Sequence, residues 1–168
     1  SGDVILKEYC TIEEEDTLGT LHDKLKKIGA KGLEKAINLI ESGKVIAEKQ
    51  DESLVTFVKP ISKEQEVIDW SDTKENIYNK IRGLNPFPGA LSYYDDQIIK
   101  VYLSEKIDKE YDGEYGEIVE ILNKKGPVVK VKNGGIILKE VKFQGKKSQS
   151  GIDIINGRKI ILNSKFGK

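Results

Sequence analysis

"GPVVKVKNGGIILKEVKF", residues 126–143, reads as two short strands joined by a tight turn. Val129 and Val131 fall on one face of the first strand, while Lys130 and Lys132 fall on the other. Asn133-Gly134-Gly135 supplies the turn, because Asn and Gly tolerate the positive φ that tight hairpins need. Similar runs surround it: "QIIKVYL" (Gln97–Leu103), "GEIVEIL" (Gly116–Leu122) and "RKIILNS" (Arg158–Ser164). In the first of these, Ile99, Val101 and Leu103 alternate onto one face. Lys125-Gly126-Pro127 and Asn156-Gly157 mark further turns. Short strands with tight turns predict a small antiparallel barrel, an architecture that often carries nucleic acid, with its lysine face pointing outward.

Upstream the pattern changes. "DVILKEY" (Asp3–Tyr9) predicts a short, mostly buried strand, followed by the acidic loop "TIEEED". Asp16 or Thr17 can cap the next helix. Leu18, Leu21, Leu25 and Ile28 recur at helical spacing, and Leu33, Ala36, Ile37 and Ile40 resume it, which predicts two helices joined near Gly29 and ending at Ser42-Gly43. Residues 44–62 read as an extended linker that Pro60 interrupts. "SDTKENIYNKIRGL" (Ser71–Leu84) predicts another helix, capped by Ser71 or Asp72, with Asp72 and Glu75 as a capping-box pair and Ile77, Ile81 and Leu84 as its buried stripe. Pro86 then disfavours helical geometry at Asn85, and Pro86 and Pro88 stiffen the corner that follows.

Composition bounds the function classes. An apolar share of 38% and a charged share of 33% describe a soluble globular chain. No apolar run approaches the roughly 18–20 residues a membrane helix needs. The early apolar stretch is interrupted by Asp3, Lys7 and Glu8, unlike a signal peptide. Cys10 has no cysteine partner, which predicts a reducing, cytoplasmic setting. The zero net charge hides an asymmetry. Residues 1–123 carry 16 Lys/Arg against 26 Asp/Glu, a net of −10, while residues 124–168 carry 12 against two, a net of +10. A basic surface for an anionic partner would give that pattern, and so would a lysine-rich sheet face that is merely solvated.

The chain offers little local chemistry. His22 is its only histidine, which excludes a metal site built on several imidazoles, and Cys10 has no cationic neighbour to activate it. Glu13–Asp16 sits where helix-dipole compensation puts acids. "FQGKKSQS" (Phe143–Ser150) is the sharpest basic feature, with Lys146 and Lys147 able to reach phosphate oxygens from a loop, although a solvated turn has the same composition.

Several segments in order carry a resemblance. "EEDTLGTLHDKL" (Glu14–Leu25), "QDESLVTFVKPISKEQEVIDW" (Gln50–Trp70), "IRGLNPFPGA" (Ile81–Ala90) and "FQGKKSQS" together resemble the C-terminal half of methionyl-tRNA formyltransferases. That family transfers a formyl group from 10-formyltetrahydrofolate to the amino group of methionine on the initiator tRNA. The resemblance implies an α+β chain: an N-terminal strand and helices left from a Rossmann-like domain, then a helix and a small OB-like antiparallel β-barrel. It implies that residues 1–43 are the tail of the catalytic domain, 44–62 a linker, and 63–168 a tRNA-binding domain. Ser1-Gly2-Asp3 resembles the last positions of the family's Asp-(Thr/Ser)-Gly-Asp motif, although Ser-Gly is also what a cleaved tag leaves. The catalytic Asn, His and Asp would then lie upstream of residue 1, leaving no catalytic residue, no bound folate and no metal in this chain.

The partner so implied is initiator methionyl-tRNA, held by a basic groove of Lys130, Lys132, Lys142, Lys146 and Lys147, with Arg82 at its edge. A monomer is expected, with pairing between copies through the N-terminal strand as a hazard. Two other functions compete: an amino-sugar formyltransferase, and a non-enzymatic OB-like nucleic-acid-binding module. The last would need stacking aromatics, and residues 124–168 hold only Phe143 and Phe166.

Overall fold

In the computed structural model, which describes residues 2–167, the leucine pattern after Thr17 forms one helix, α1 (Leu18–Glu41), rather than two. Gly29 and Gly32 lie inside it. Each glycine costs about 0.8–1 kcal/mol relative to alanine, which a 24-residue helix with a good start can absorb. The Thr17 side chain accepts from the Thr20 N–H, and the Thr20 hydroxyl accepts from the Thr17 N–H, so Thr17 is the cap. Asp16 braces this start: its carboxylate takes the Glu13 N–H at 2.8 Å, the Thr20 hydroxyl at 2.9 Å and the Lys24 ammonium at 2.5 Å. Gly43, at φ +64°, ends the helix where the sequence suggests.

The chain divides into two compact units, Ser1–Pro60 and Ile61–Lys168. In the first, the strand expected at Asp3–Tyr9 is absent. Only Val4 pairs, with Glu48, through two backbone hydrogen bonds of 2.8 Å. A strand needs a neighbour along its length, and the described part of this unit offers one for a single residue. Residues 44–60 carry no regular element apart from the bridge at Glu48 and a short 3₁₀ turn at Glu52–Leu54, and Phe57 is 95% exposed. Among the described residues of α1 none is fully buried: Leu18, Leu25, Leu33, Ile37 and Ile40 are exposed, and Leu21, Ile28 and Ala36 are half-buried. Ser1, the first residue of the Ser-Gly-Asp match, lies outside the described residues.

The second unit holds the core. A short helix, α2 (Lys63–Glu66), and α3 (Lys74–Gly83) precede strands β1 (Ala90–Tyr94), β2 (Gln97–Ile107), β3 (Ile118–Leu122), β4 (Gly126–Val131), β5 (Gly134–Phe143) and β6 (Gln149–Ser150), and α4 (Gly151–Asn156) follows. The six strands form one antiparallel sheet in the order β1-β2-β5-β4-β3, with β6 on β5, giving an α+β fold. Helix α3 starts at Thr73, not at Ser71 or Asp72, because the Thr73 hydroxyl accepts the Asn76 N–H. Asp72 instead takes the Thr73 N–H and the Asn76 amide, and Glu75 accepts from Asn133. The stripe Ile77, Ile81 and Leu84 is buried as its spacing predicts.

Four readings change. β1 appears before Gln97 and turns into β2 through Asp95 and Asp96, both at positive φ, as a tight hairpin requires. Ile99 and Val101 are fully buried, but Leu103 is 41% exposed, because register shifts at Leu103 break the alternation. "RKIILNS" is a turn-rich segment rather than a strand; Ile160 enters the core while Ile161 and Leu162 stay exposed. Gln149 and Ser150, read from sequence as part of a loop, form β6, and Gly151–Asn156, to which the sequence reading gave no element beyond a turn at Asn156-Gly157, form α4 with Ser150 as its cap.

The last described residues tie the two edges of the sheet together. Phe166 bridges Tyr94 at the end of β1, and Lys165 bridges Glu117 just before β3. The Phe166 N–H donates to the Gly116 carbonyl at 2.8 Å, and the Gly167 N–H to that of Tyr93 at 3.0 Å. Gly116 is at φ +87°, and a Cβ there would sit 2.5 Å from the Phe166 carbonyl, so only glycine allows this approach. The Phe166 ring is 1% exposed, centred 5.4 Å from Trp70 and 5.0 Å from Tyr94. Trp70 donates its indole N–H to buried Ser92 at 2.9 Å, which satisfies both polar groups inside the core.

Candidate nucleic-acid interface

The structure sorts the cations of the second unit by whether a carboxylate answers them. Lys125 and Lys139 both reach Glu105, Lys109 pairs with Glu120, Lys165 with Glu114, and Lys74 with Asp108 and Glu75. The +10 of the C-terminal stretch is therefore partly neutralised by acids lying earlier in the same unit. Residues 61–168 carry 19 Lys/Arg against 16 Asp/Glu, a net of only +3. These pairs also fix carboxylates: Lys165 holds Glu114 below its usual range, and Lys109, then Tyr111, does the same for Glu120.

Lys142, Lys146 and Lys147 differ. All three are exposed, and among the described residues no carboxylate pairs with their side chains. Lys142 stands directly across from Lys100 in the β2–β5 register. Lys100 is itself engaged, donating to the Pro88 carbonyl and lying 3.6 Å from Glu66. Like charges opposite each other on a sheet are unfavourable, so an anion between them would relieve the pairing. The loop 144–148 carries Lys146 and Lys147 next to this position, turned by Gly145 at φ +71° and by a Lys146 N–H to Phe143 carbonyl bond of 3.0 Å. Lys159 adds a cation over the Phe143 ring at 5.9 Å and lines a hollow with Lys146 and Asp95.

The other sequence candidates sit elsewhere. Lys130 pairs in register with Gly135, seven residues from Lys142 along β5, or roughly 20 Å at strand spacing. Its ammonium donates to the Tyr111 carbonyl and lies 5.8 Å from the Tyr115 ring centre, so it is folded against the segment covering the sheet there instead of pointing out. Tyr111 in turn donates its hydroxyl to Glu120 at 2.6 Å; burial first, and then this bond, push its phenol well above the usual range. Lys132 is exposed near the N-terminus of α3, where its carbonyl accepts the Lys74 N–H. Arg82, in the last turn of α3, donates to Asn79 at 2.8 Å and lies 5.7 Å from the Tyr78 ring centre, which it shares with Lys106 at 4.9 Å. The fold thus gathers Lys142, Lys146 and Lys147 at one end of β5 and leaves Lys130 and Lys132 at the other.

Sequence reasoning misses Lys100 and Lys159, because nothing local reveals that β2 pairs with β5 or that α4 brings its following turn back beside Phe143. The same end of the sheet holds a groove of about 410 Å³ between Phe87-Pro88 and Gln144-Gly145. Two of the segments quoted for the family resemblance, distant in sequence, therefore meet across β2.

No constellation for covalent chemistry accompanies these cations among the described residues. His22 is exposed, with Asp23 at 3.8 Å. Among the described residues no group of His, Cys, Asp and Glu could hold a metal, and no helix is long and apolar enough to cross a membrane.

The antiparallel sheet thus carries lysines that no carboxylate answers beside a braced proline corner, and its sequence has close relatives. Residues 60–159 match the family described as formyl transferase, C-terminal domain, and the chain belongs to that family. It is 49% identical over 167 residues to a methionyl-tRNA formyltransferase of Fusobacterium nucleatum, covering 99% of this chain and 54% of that protein. It is 40% identical over 168 residues to the methionyl-tRNA formyltransferase of Bacillus subtilis, covering 99% of this chain and 53% of that one. The chain spans about half the length of the curated relatives it matches. In fold it is similar to HypX from Aquifex aeolicus in complex with tetrahydrofolic acid, with a TM-score of 0.72 at 13% identity, covering 98% of this chain and 29% of HypX.

Proposed function

We propose that this chain is the C-terminal, tRNA-holding part of a methionyl-tRNA formyltransferase. The complete enzyme would transfer a formyl group from 10-formyltetrahydrofolate to the amino group of methionyl initiator tRNA, in the cytoplasm. The observation that carries the reading is the 49% identity across 99% of the chain to a protein of that name. The unanswered cations Lys142, Lys146 and Lys147 support the RNA role, since phosphate contacts need ammonium groups not already spent on carboxylates. In this reading residues 1–43 are the tail of the catalytic domain, 44–62 the linker, and 63–168 a monomeric OB-like unit whose barrel the terminal segment completes. Lys142, Lys146 and Lys147 make the main contact, and Arg82, Lys130 and Lys132 reach a more distant part of the tRNA.

The described residues do not fit a folate-dependent formyl-transfer centre. The chain's single imidazole, His22, is exposed beside Asp23, and among the described residues no group of His, Cys, Asp and Glu gathers at one point as a metal site would need. The donor would sit on the half of the enzyme that this chain lacks, and the transfer itself would take place there.

The test is binding of initiator tRNA to the chain across a salt series. Affinity should fall linearly on a log–log plot, with a slope set by the number of phosphates neutralised. Lys146→Ala with Lys147→Ala should weaken binding and flatten that slope by about one for each phosphate no longer neutralised. Undetectable binding at low salt, or a slope unchanged by the double substitution, would defeat the proposal.

A further inference from the structure

The groove at Phe87 contains something that phosphate recognition does not call for. Phe87 is 79% exposed, yet its turn is fixed on three sides. The Asn85 amide donates to the Tyr102 carbonyl at 2.7 Å, the Gly89 N–H donates to the Leu84 carbonyl at 2.8 Å, and Lys100 donates to the Pro88 carbonyl. Gly89, at φ +83°, lies so close to the sheet that a Cβ there would come within 2.8 Å of the Tyr102 ring. A large aromatic side chain is thus held in water on a rigid base.

Beside it the sheet presents Ile98 and Tyr102, residues of β2 that alternate with the buried Ile99 and Val101, and Lys142 and Gln144 lie across from them. The space enclosed, about 410 Å³, is within the range of small-ligand sites. The occupant must offer a flat apolar face to Phe87 and negative charge to Lys142. A nucleotide has both, and a base can reach an aromatic side chain only when it is not stacked within a helix.

We propose that this groove takes one unpaired nucleotide of the bound RNA, its base stacked on Phe87 and its phosphate against Lys142. This rests on the reading of the chain as a tRNA-holding unit. It adds a contact that senses a flipped-out or loop nucleotide, where the lysines alone sense only backbone charge.

The test uses the full chain with an unmodified transcript of initiator tRNA, and a blunt-ended RNA duplex for comparison. Phe87→Leu should weaken tRNA binding about tenfold without changing the salt slope, and Phe87→Trp should restore it. Lys142→Ala should weaken binding and lower the slope. The Phe87→Trp protein should lose fluorescence on adding tRNA but not duplex, while Trp70, only 4% exposed, provides an unchanging background in the parent protein. If Phe87→Leu binds tRNA like the parent while Lys146→Ala with Lys147→Ala does not, the lysine reading stands and the stacking proposal is overturned. Equal quenching by duplex would overturn it as well, and so would an introduced indole already shielded from iodide in the free chain. Failure of the parent to bind tRNA at all would instead defeat the functional reading beneath it.

Discussion

Replacing Phe166 with alanine tests whether the terminal segment is part of the core or merely lies on it. The ring is 1% exposed and sits between Trp70 and Tyr94, at 5.4 and 5.0 Å. Truncating a buried Phe costs about 3–5 kcal/mol, combining lost transfer free energy with the cavity left behind. The backbone bonds to Gly116 and Tyr93 survive in the variant, so the figure reports the side chain alone. Small domains hold about 5–15 kcal/mol in total, so the second unit should lose a large part of its stability and melt some 12–20 °C lower. Urea unfolding followed by Trp70 fluorescence provides the assay, because this single tryptophan packs on the deleted ring. Phe87→Ala is the matched control: the same residue type at 79% exposure should shift stability by no more than about 0.5 kcal/mol. A loss below about 1 kcal/mol for Phe166→Ala, at unchanged m-value, would refute the assignment of this segment to the core.

Two further outcomes concern charge. Lys24, the Glu13 N–H and the Thr20 hydroxyl hold the Asp16 carboxyl down at about 2, below its ordinary 3.8. A depressed folded value means the carboxylate stabilises the start of α1 fully above the unfolded value, and that stabilisation is lost as pH falls from about 4 to about 2. Circular dichroism at 222 nm should show helix loss in that window, reduced in Asp16→Asn; superimposable curves would remove Asp16 from the account. Lys130→Ala should lower the melting temperature, since it removes the tie to the Tyr111 carbonyl, and should weaken tRNA binding less than Lys146→Ala does. The opposite ranking in the two assays would make Lys130 a primary RNA contact.

What can be read in advance follows from how local each signal is. The period of Leu18, Leu21, Leu25 and Ile28 announces α1, but Gly29 does not break it, since one glycine is a small penalty against a capped start and a long apolar stripe. β1 is hidden because its inward positions are Ala90, Ser92 and Tyr94, a small residue, a buried hydroxyl and a half-polar ring instead of an aliphatic alternation. "RKIILNS" misleads for the converse reason: an apolar triplet resembles a strand, although only Ile160 is buried fully. The lysine-rich loop at 143–150 is visible as composition. Which lysines remain unanswered is not, because their partners lie far away in the chain, as Glu114 lies 51 positions from Lys165 and Glu105 lies 20 from Lys125. Those distances are set by the fold, and the sequence displays charges without saying which ones meet.

The bridging of β1 and β3 by residues 165 and 166 also bears on self-association. An open sheet offers a row of free N–H and C=O groups at each side, and another chain can add to either row as an extra strand. In this fold one short segment occupies parts of both rows at once, through Tyr93 on one side and Gly116 and Ile118 on the other. Loosening it uncovers two sticky borders together. Damage at this point would therefore add self-association through the uncovered borders to the loss of Phe166 from the core.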